Sequence, residues 1–242
     1  MTITPSILPS VRAELHERFL FNFRVPLDAL SRHLPAPFLK AQPLNGWGVL
    51  SFCLLDLRGL TVAPLPTLVG LNSLSCAPRF AILDCSDGQS QPAVFVTERF
   101  SNSTFGSWFS SLGFSAPHPL IEAKIEHGDD KTMMSAAIPG ESALFKADVF
   151  PGENTSVLWP DTRDFGEFIS MGVRSFGLSR HFNRLTVMDL RKNEGVYQPL
   201  HVRQLSGTFV EAWRTEGALF DSAFRTAGGC YEWTYHGLVD AR

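Results

Sequence analysis

Short stretches in which apolar and polar residues alternate recur along the whole chain, and a period of two sets successive side chains on opposite faces of a strand. They run from Gly48 to Leu55, Ala93 to Thr97, Leu120 to Glu126, Met133 to Ile138, Leu185 to Leu190, Val196 to Leu205, Thr208 to Arg214 and Cys230 to His236. The regular strand–helix alternation of a doubly wound fold is absent, so the pattern predicts a mostly antiparallel sheet. Two helices are expected to interrupt it. The first is capped by Asn102 or Ser103, carries Phe105, Trp108, Phe109 and Leu112 on one face and stops at Gly113. The second is capped by Asp164 and carries Phe165, Phe168, Ile169, Gly172, Val173 and Phe176 before Gly177. Each should plug or flank a barrel, which gives an α+β, mostly antiparallel β architecture. With no linker and no internal repeat, residues 1–242 are expected to form a single domain around one core.

Composition narrows the function classes. Hydrophobic residues make up 44% and charged residues 19%, which belongs to a globular chain rather than a disordered one. Twenty Phe stand against three Tyr, a bias toward dry aromatic packing that can keep water from a small polar site. The net charge is −3 and the Lys and Arg are scattered, which argues against nucleic acid and anionic membranes as partners. The first twenty residues include Glu14 and Glu17 and no long apolar run, and the apolar stretch from Val49 to Leu60 is broken by Asp56 and Arg58. A cytoplasmic protein is expected. Cys53, Cys76, Cys85 and Cys230 show no metal-binding spacing and read as buried thiols.

The catalytic motifs with the clearest signatures are missing. Neither a dinucleotide nor a phosphate cradle is written in the sequence, and Gly113-Phe114-Ser115 and Gly177-Leu178-Ser179 lack the second glycine of a nucleophile elbow. The histidines show no i, i+4 pair, so neither a metal nor a cofactor is expected. An imine-forming lysine must be neutral at working pH, which needs burial or a neighbouring cation. Lys40, Lys131, Lys146 and Lys192 sit in turn-like or charged surroundings and read as solvated, and Lys124 shares a strand face with Glu122 and Glu126, which favour its charged form.

The arginines and two histidines are the stronger candidates. Arg24, Arg79 and Arg174 each stand beside Phe or apolar residues, where a guanidinium needs either a ligand anion or a carboxylate partner such as Glu98, Asp221 or Glu211. Both readings stay open. Arg24 follows an aromatic strand-like run, Phe21-Asn22-Phe23, and precedes a short helix started by Pro26 with Leu27, Leu30 and Leu34 on one stripe. His118, between Pro117 and Pro119, is the candidate for proton transfer, and His201 alternates with Tyr197 and Arg203 on one strand face as a candidate binding residue.

These segments, in order, resemble a known group. The Phe21–Leu30 run closed by Leu34-Pro35, the Gly46-Trp47-Gly48-Val49-Leu50-Ser51-Phe52 strand, the Gly172-Val173-Arg174-Ser175-Phe176-Gly177 run and the Asp221-Ser222-Ala223-Phe224-Arg225-Thr226 run resemble the acetoacetate decarboxylase-like superfamily. Within it they are most similar to the YqjF-like, DUF2071-type branch, over most of Arg18 to Trp233. The resemblance implies a cone-shaped antiparallel barrel with flanking helices and a site in its interior cavity. It also implies that Arg24 contacts a substrate carboxylate. The turn that carries the reactive lysines in the decarboxylases corresponds to Gly113–His118, which holds no lysine, and no acidic residue stands between Leu71 and Arg79 where their glutamate is expected.

Two function classes follow. One is a cofactor-independent enzyme, a lyase or isomerase without the Schiff-base lysine, in which Arg24, Arg79, Arg174 and His201 bind an anionic or carbonyl-containing molecule and His118 moves a proton. The other is a non-catalytic carrier or sensor of an apolar small molecule. In both, the partner is a small ligand in the barrel cavity, and a homo-oligomer stays open.

Overall fold

The structure, a computed structural model, describes residues 3–6, 8–104 and 118–242. Its first part comprises strands β1 (Thr4–Pro5) and β2 (Val11–Val25), helix α1 (Leu27–Arg32), and strands β3 (Leu39–Ala41), β4 (Gly48–Val62), β5 (Leu71–Asp84), β6 (Gln91–Val96) and β7 (Phe100–Ser101). After the undescribed segment come β8 (Glu122–His127), β9 (Thr132–Ala137), β10 (Ala143–Pro151), helix α2 (Thr162–Met171), β11 (Arg174–Leu178), β12 (Arg184–Glu194) and β13 (Gln198–Ser206). Helix α3 (Thr208–Thr215) and strands β14 (Leu219–Ala227) and β15 (Gly229–Asp240) complete the chain.

The strands form one sheet that closes on itself. Neighbours follow the order β15-β12-β11-β6-β5-β4-β2, and β15 also pairs with β2, so these strands make a ring. Strand β2 serves both the ring and an outer layer. Its first half, Val11 to Glu14, bonds to β15, while Glu17 to Arg24 bond to β14, which leads on through β13, β10 and β9 to β8. Every pairing between named strands is antiparallel except β6 with β11. Closure removes the open edge that a long sheet would otherwise present. It depends on a glycine at the β12–β15 contact: Gly229, at φ 117°, lies opposite Glu194, and a Cβ there would stand 1.6 Å from the Asn193 carbonyl oxygen.

Alternation along β2 separates two environments. Phe19, Phe21, Phe23 and Val25 point into the larger core, where Phe52 stacks on Phe145 at 4.2 Å and meets Phe209 at 4.9 Å. Arg18, Leu20, Asn22 and Arg24 occupy the other face. There a smaller cluster joins Leu20 and Cys53 to Phe165, Leu190, Tyr197, Phe224 and Tyr231, with Trp159 packed on Phe165.

The expected strands are present, most of them with boundaries moved by a few residues. Thr208 to Arg214 is a helix instead of a strand: Phe209, Val210 and Trp213 fall on one helical face, with Trp213 packed against Phe80 and His33. Helix α2 is capped by Asp161, whose side chain accepts from the Arg163 N–H, and ends by Gly172, so Phe176 is buried from β11 and Val173 is exposed. The stripe expected on Phe105, Trp108, Phe109 and Leu112 lies outside the described residues. Cys53 and Cys76 are buried, whereas Cys85 is partly covered and Cys230 is exposed.

Because Phe52 is fully buried between Phe145 and Phe209, Phe52→Ala is expected to cost about 3–5 kcal/mol of stability. Urea unfolding of the two proteins measures it, and a loss under about 1 kcal/mol would show that this ring does not bear the core.

Candidate functional site

The second face of the ring gathers charged residues that no water reaches freely. Arg18 on β2 and Glu194 at the end of β12 are 2% and 7% exposed and form an ion pair at 2.5 Å. The hydroxyls of Tyr197 and Tyr231 both donate to the Glu194 carboxylate. Arg18 also donates through Nη1 to both tyrosine oxygens at 3.3 Å and through Nε to Cys53 Sγ at 3.3 Å. Burial alone would lower the Arg18 guanidinium, but Tyr231, Cys53, Glu194 and Tyr197 outweigh it and hold its pKa above the ordinary arginine range. Burial alone would raise the Glu194 carboxyl, but Arg18, Lys192 and the two phenols hold it far below the usual carboxylate range.

Lys192, two positions before Glu194 on the same strand face, is the third member. Its Nζ lies 3.0 Å from Glu194 Oε2, and its side chain is only 10% exposed. The expectation of a solvated lysine is therefore overturned: the local sequence Arg191-Lys192-Asn193-Glu194 is charged, but every second side chain of the strand turns into the ring. Burial lowers the Lys192 amine to about 8, with Arg18 and Arg79 pushing the same way against the pull of Glu194. It thereby meets the condition for a neutral amine near physiological pH.

Arg79 completes the arrangement. It stands on β5 in register with Ser51 of β4, which is in register with Asn22 of β2; Ser51 donates to Asn22 Oδ1 at 2.6 Å and Asn22 donates to Ser222 at 3.3 Å. Asn22 is thus satisfied, while the buried Nε of Arg79 has no hydrogen-bond partner among the described residues. Arg18, Ser51, Arg79, Val94 and Lys192, with Phe168 and Ile169 of α2, enclose a cavity of about 50 Å³. Leu190 and Lys192 also line a wider cleft of about 570 Å³ between α2 and the end of β12, so Lys192 stands at the boundary of the two spaces.

The remaining sequence candidates lie elsewhere. Arg24 pairs with the buried carboxylate of Asp221 at 3.2 Å and packs over Trp47 at 5.6 Å, and Asp221 in turn accepts from Ser156 and from the Val157 N–H. Arg174 pairs with Asp189 at 3.3 Å across β11 and β12. His201 is exposed on β13, opposite Phe150. None of these three lines either space around Lys192. His118 is held neutral by burial and by Arg99, its pKa pushed down to about 3, and a ring with so low a proton affinity is a weak base at neutral pH. Arg99 is itself lowered to about 10 by burial and by Arg79. The structure therefore retains Arg79 near the cavity and adds Arg18, Lys192, Glu194, Tyr197 and Tyr231. Alternation along β12 carried a signal for Leu190, Lys192 and Glu194 sharing a face, though not for which face is enclosed.

No family model matches the chain, and no curated protein does. Solved structures do. An acetoacetate decarboxylase from Legionella pneumophila superposes with a TM-score of 0.70 at 13% identity, covering 98% of this chain and 90% of its own. An acetoacetate decarboxylase-like enzyme from Sphingomonas wittichii RW1 gives 0.64 at 10% identity, with 96% and 94% covered. The enduracididine biosynthesis enzyme MppR complexed with pyruvate gives 0.62 at 13% identity, with 100% and 92% covered. With the closed, mostly antiparallel ring and its flanking helices, these likenesses show that the chain has the acetoacetate decarboxylase-like fold.

Proposed function

We propose that the chain binds a small oxo acid, a carboxylate that also carries a carbonyl group, in the cavity beside Lys192, and that Lys192 is the nucleophile toward that carbonyl. The observation that carries this is the charge balance: Arg18, Arg79 and Lys192 line one small cavity and Glu194 is the carboxylate set among them. Arg79, with its unsatisfied Nε, is the natural anchor for the substrate carboxylate. The neutral Nζ adds to the carbonyl carbon, the oxygen departs as water with the two amine protons, and the imine, once it takes up a proton from solvent, draws electrons from the neighbouring bond. That electron sink serves a cofactor-independent lyase or isomerase equally.

The fold-mates support the ligand class, since MppR has been solved with pyruvate and with the condensation product of pyruvate and imidazole 4-carboxaldehyde. Lys192 takes the place of the lysine absent from the Gly113–His118 turn, so imine chemistry is available from a different strand. The order of the Gly172–Gly177 and Asp221–Thr226 runs favours placement in the YqjF-like branch of the superfamily.

Borohydride treatment in the presence of pyruvate or acetoacetate is expected to leave a reduced adduct on Lys192, found by intact mass and peptide mapping and absent from Lys192→Arg. Arg79→Met should raise the half-saturating concentration about tenfold or more, the loss expected for a hydrogen bond to a charged group. Saturable binding with no adduct would support the carrier reading; an adduct on another lysine would overturn the assignment of Lys192.

The amine itself can be titrated. Since Lys192 is lowered to about 8, its neutral fraction grows steeply between about pH 7 and 9, whereas an ordinary lysine follows a pKa of about 10.4. Competitive labelling with a small acylating reagent should show Lys192 gaining reactivity about two pH units before a free lysine side chain added as the internal standard. Coincident profiles would remove the basis for a nucleophilic amine.

A further inference from the structure

We infer that the oxo acid carries an uncharged apolar tail, which lies in the cleft between α2 and the end of β12. This rests on the reading of Arg79 and Lys192 as the site for the acid and carbonyl groups. The inner cavity, about 50 Å³, has room for a carboxylate and the adjoining carbonyl but not for a chain, since one water requires about 10–15 Å³ on this measure. A larger molecule must pass Lys192 into the adjoining cleft. At about 570 Å³ the cleft falls within the usual range of small-molecule sites, and Leu190 and Lys192 line both it and the inner cavity.

The chemistry of the cleft selects the tail. Of its polar side chains, Arg163 binds Asp161 through Nη2 at 2.8 Å and Nε at 3.1 Å, the Ser170 hydroxyl donates to the Glu167 carbonyl at 2.7 Å and the Tyr197 hydroxyl donates to Glu194, while Arg191 and Asn193 complete the polar lining. The apolar surface that these elements offer a ligand is Leu190, Val173, Val196 and the face of Tyr197. Val196 is 85% exposed and Val173 41%, so a tail would cover apolar surface that now meets solvent. Gly166 sets the width of the cleft on the helix side, where a Cβ would come only to ordinary contact with Tyr197, 3.8 Å from Cδ2.

A series of straight-chain 2-oxo acids, from pyruvate through 2-oxohexanoate to 2-oxooctanoate, tests this by calorimetric titration. Affinity is expected to rise up to about fourfold for each methylene that becomes buried. Gly166→Leu, which narrows the cleft and suits a helix, should lower the ratio of 2-oxooctanoate to pyruvate affinity by about tenfold. Affinity that is flat or falling with chain length, while pyruvate still binds, overturns the tail and leaves the reading of the inner site standing. An equal effect of Gly166→Leu on every acid likewise overturns it. Failure of every acid to bind, pyruvate included, overturns both.

Discussion

The Arg18–Glu194 ion pair lies where the ring closes. Arg18 belongs to β2, Tyr231 to β15 and Glu194 to β12, and these three strands are successive neighbours at the closure. The pair and the Tyr231 hydroxyl therefore join strands that are far apart in sequence. Taking two charges out of water costs several kcal/mol each, and the cost is recovered only where the geometry is good and the remaining lone pairs are filled. Here both phenols are committed to the carboxylate and Cys53 to the guanidinium, so the pair is hydrogen-bonded on nearly every side. Removing Glu194 would leave Arg18 charged, buried and without a carboxylate.

That arrangement also sets the electrostatics of the cavity. Arg18 and Lys192 share one carboxylate while Arg79 lines the same cavity, and the excess positive charge sits in a small space where screening by water and salt is weak. An anion entering it would restore the balance, which is the electrostatic ground for proposing a carboxylate as the occupant. By contrast, Arg24 and Arg174 each form an ion pair with an aspartate of their own, Asp221 and Asp189.

The antiparallel, closed architecture was legible because strand alternation is a local property, visible in segments such as Gly48 to Leu55. The failures came from features that local sequence does not encode. Thr208 to Arg214 is short enough to fit either period, and its fate as a helix is decided by the pocket of Phe80, Phe52 and His33 that receives Phe209 and Trp213. For Arg18, alternation with Leu20, Asn22 and Arg24 was visible, but only ring closure decides that this face is enclosed. Lys192 was hardest to recognise, because its neighbours Arg191 and Asn193 are exposed and its burial comes from β15, α2 and β5, all distant along the chain. Arg79 was recognisable from its apolar flanks, yet the same flanks surround Arg24, and the carboxylate that distinguishes the two is supplied by β14.

The choice of cations around Glu194 has a chemical consequence. A guanidinium keeps its proton at any physiological pH, so Arg18 and Arg79 are permanent charges. Arg18 and the two phenols already satisfy much of the Glu194 carboxylate, which reduces what that carboxylate can offer the ammonium of Lys192. Burial and the two guanidinium groups then act together on the one cation able to relieve the crowding by deprotonation. The same interaction that joins the closing strands thereby makes the amine the most easily deprotonated of the three cations. Fold closure and the lowered amine of Lys192 are two results of one charge arrangement.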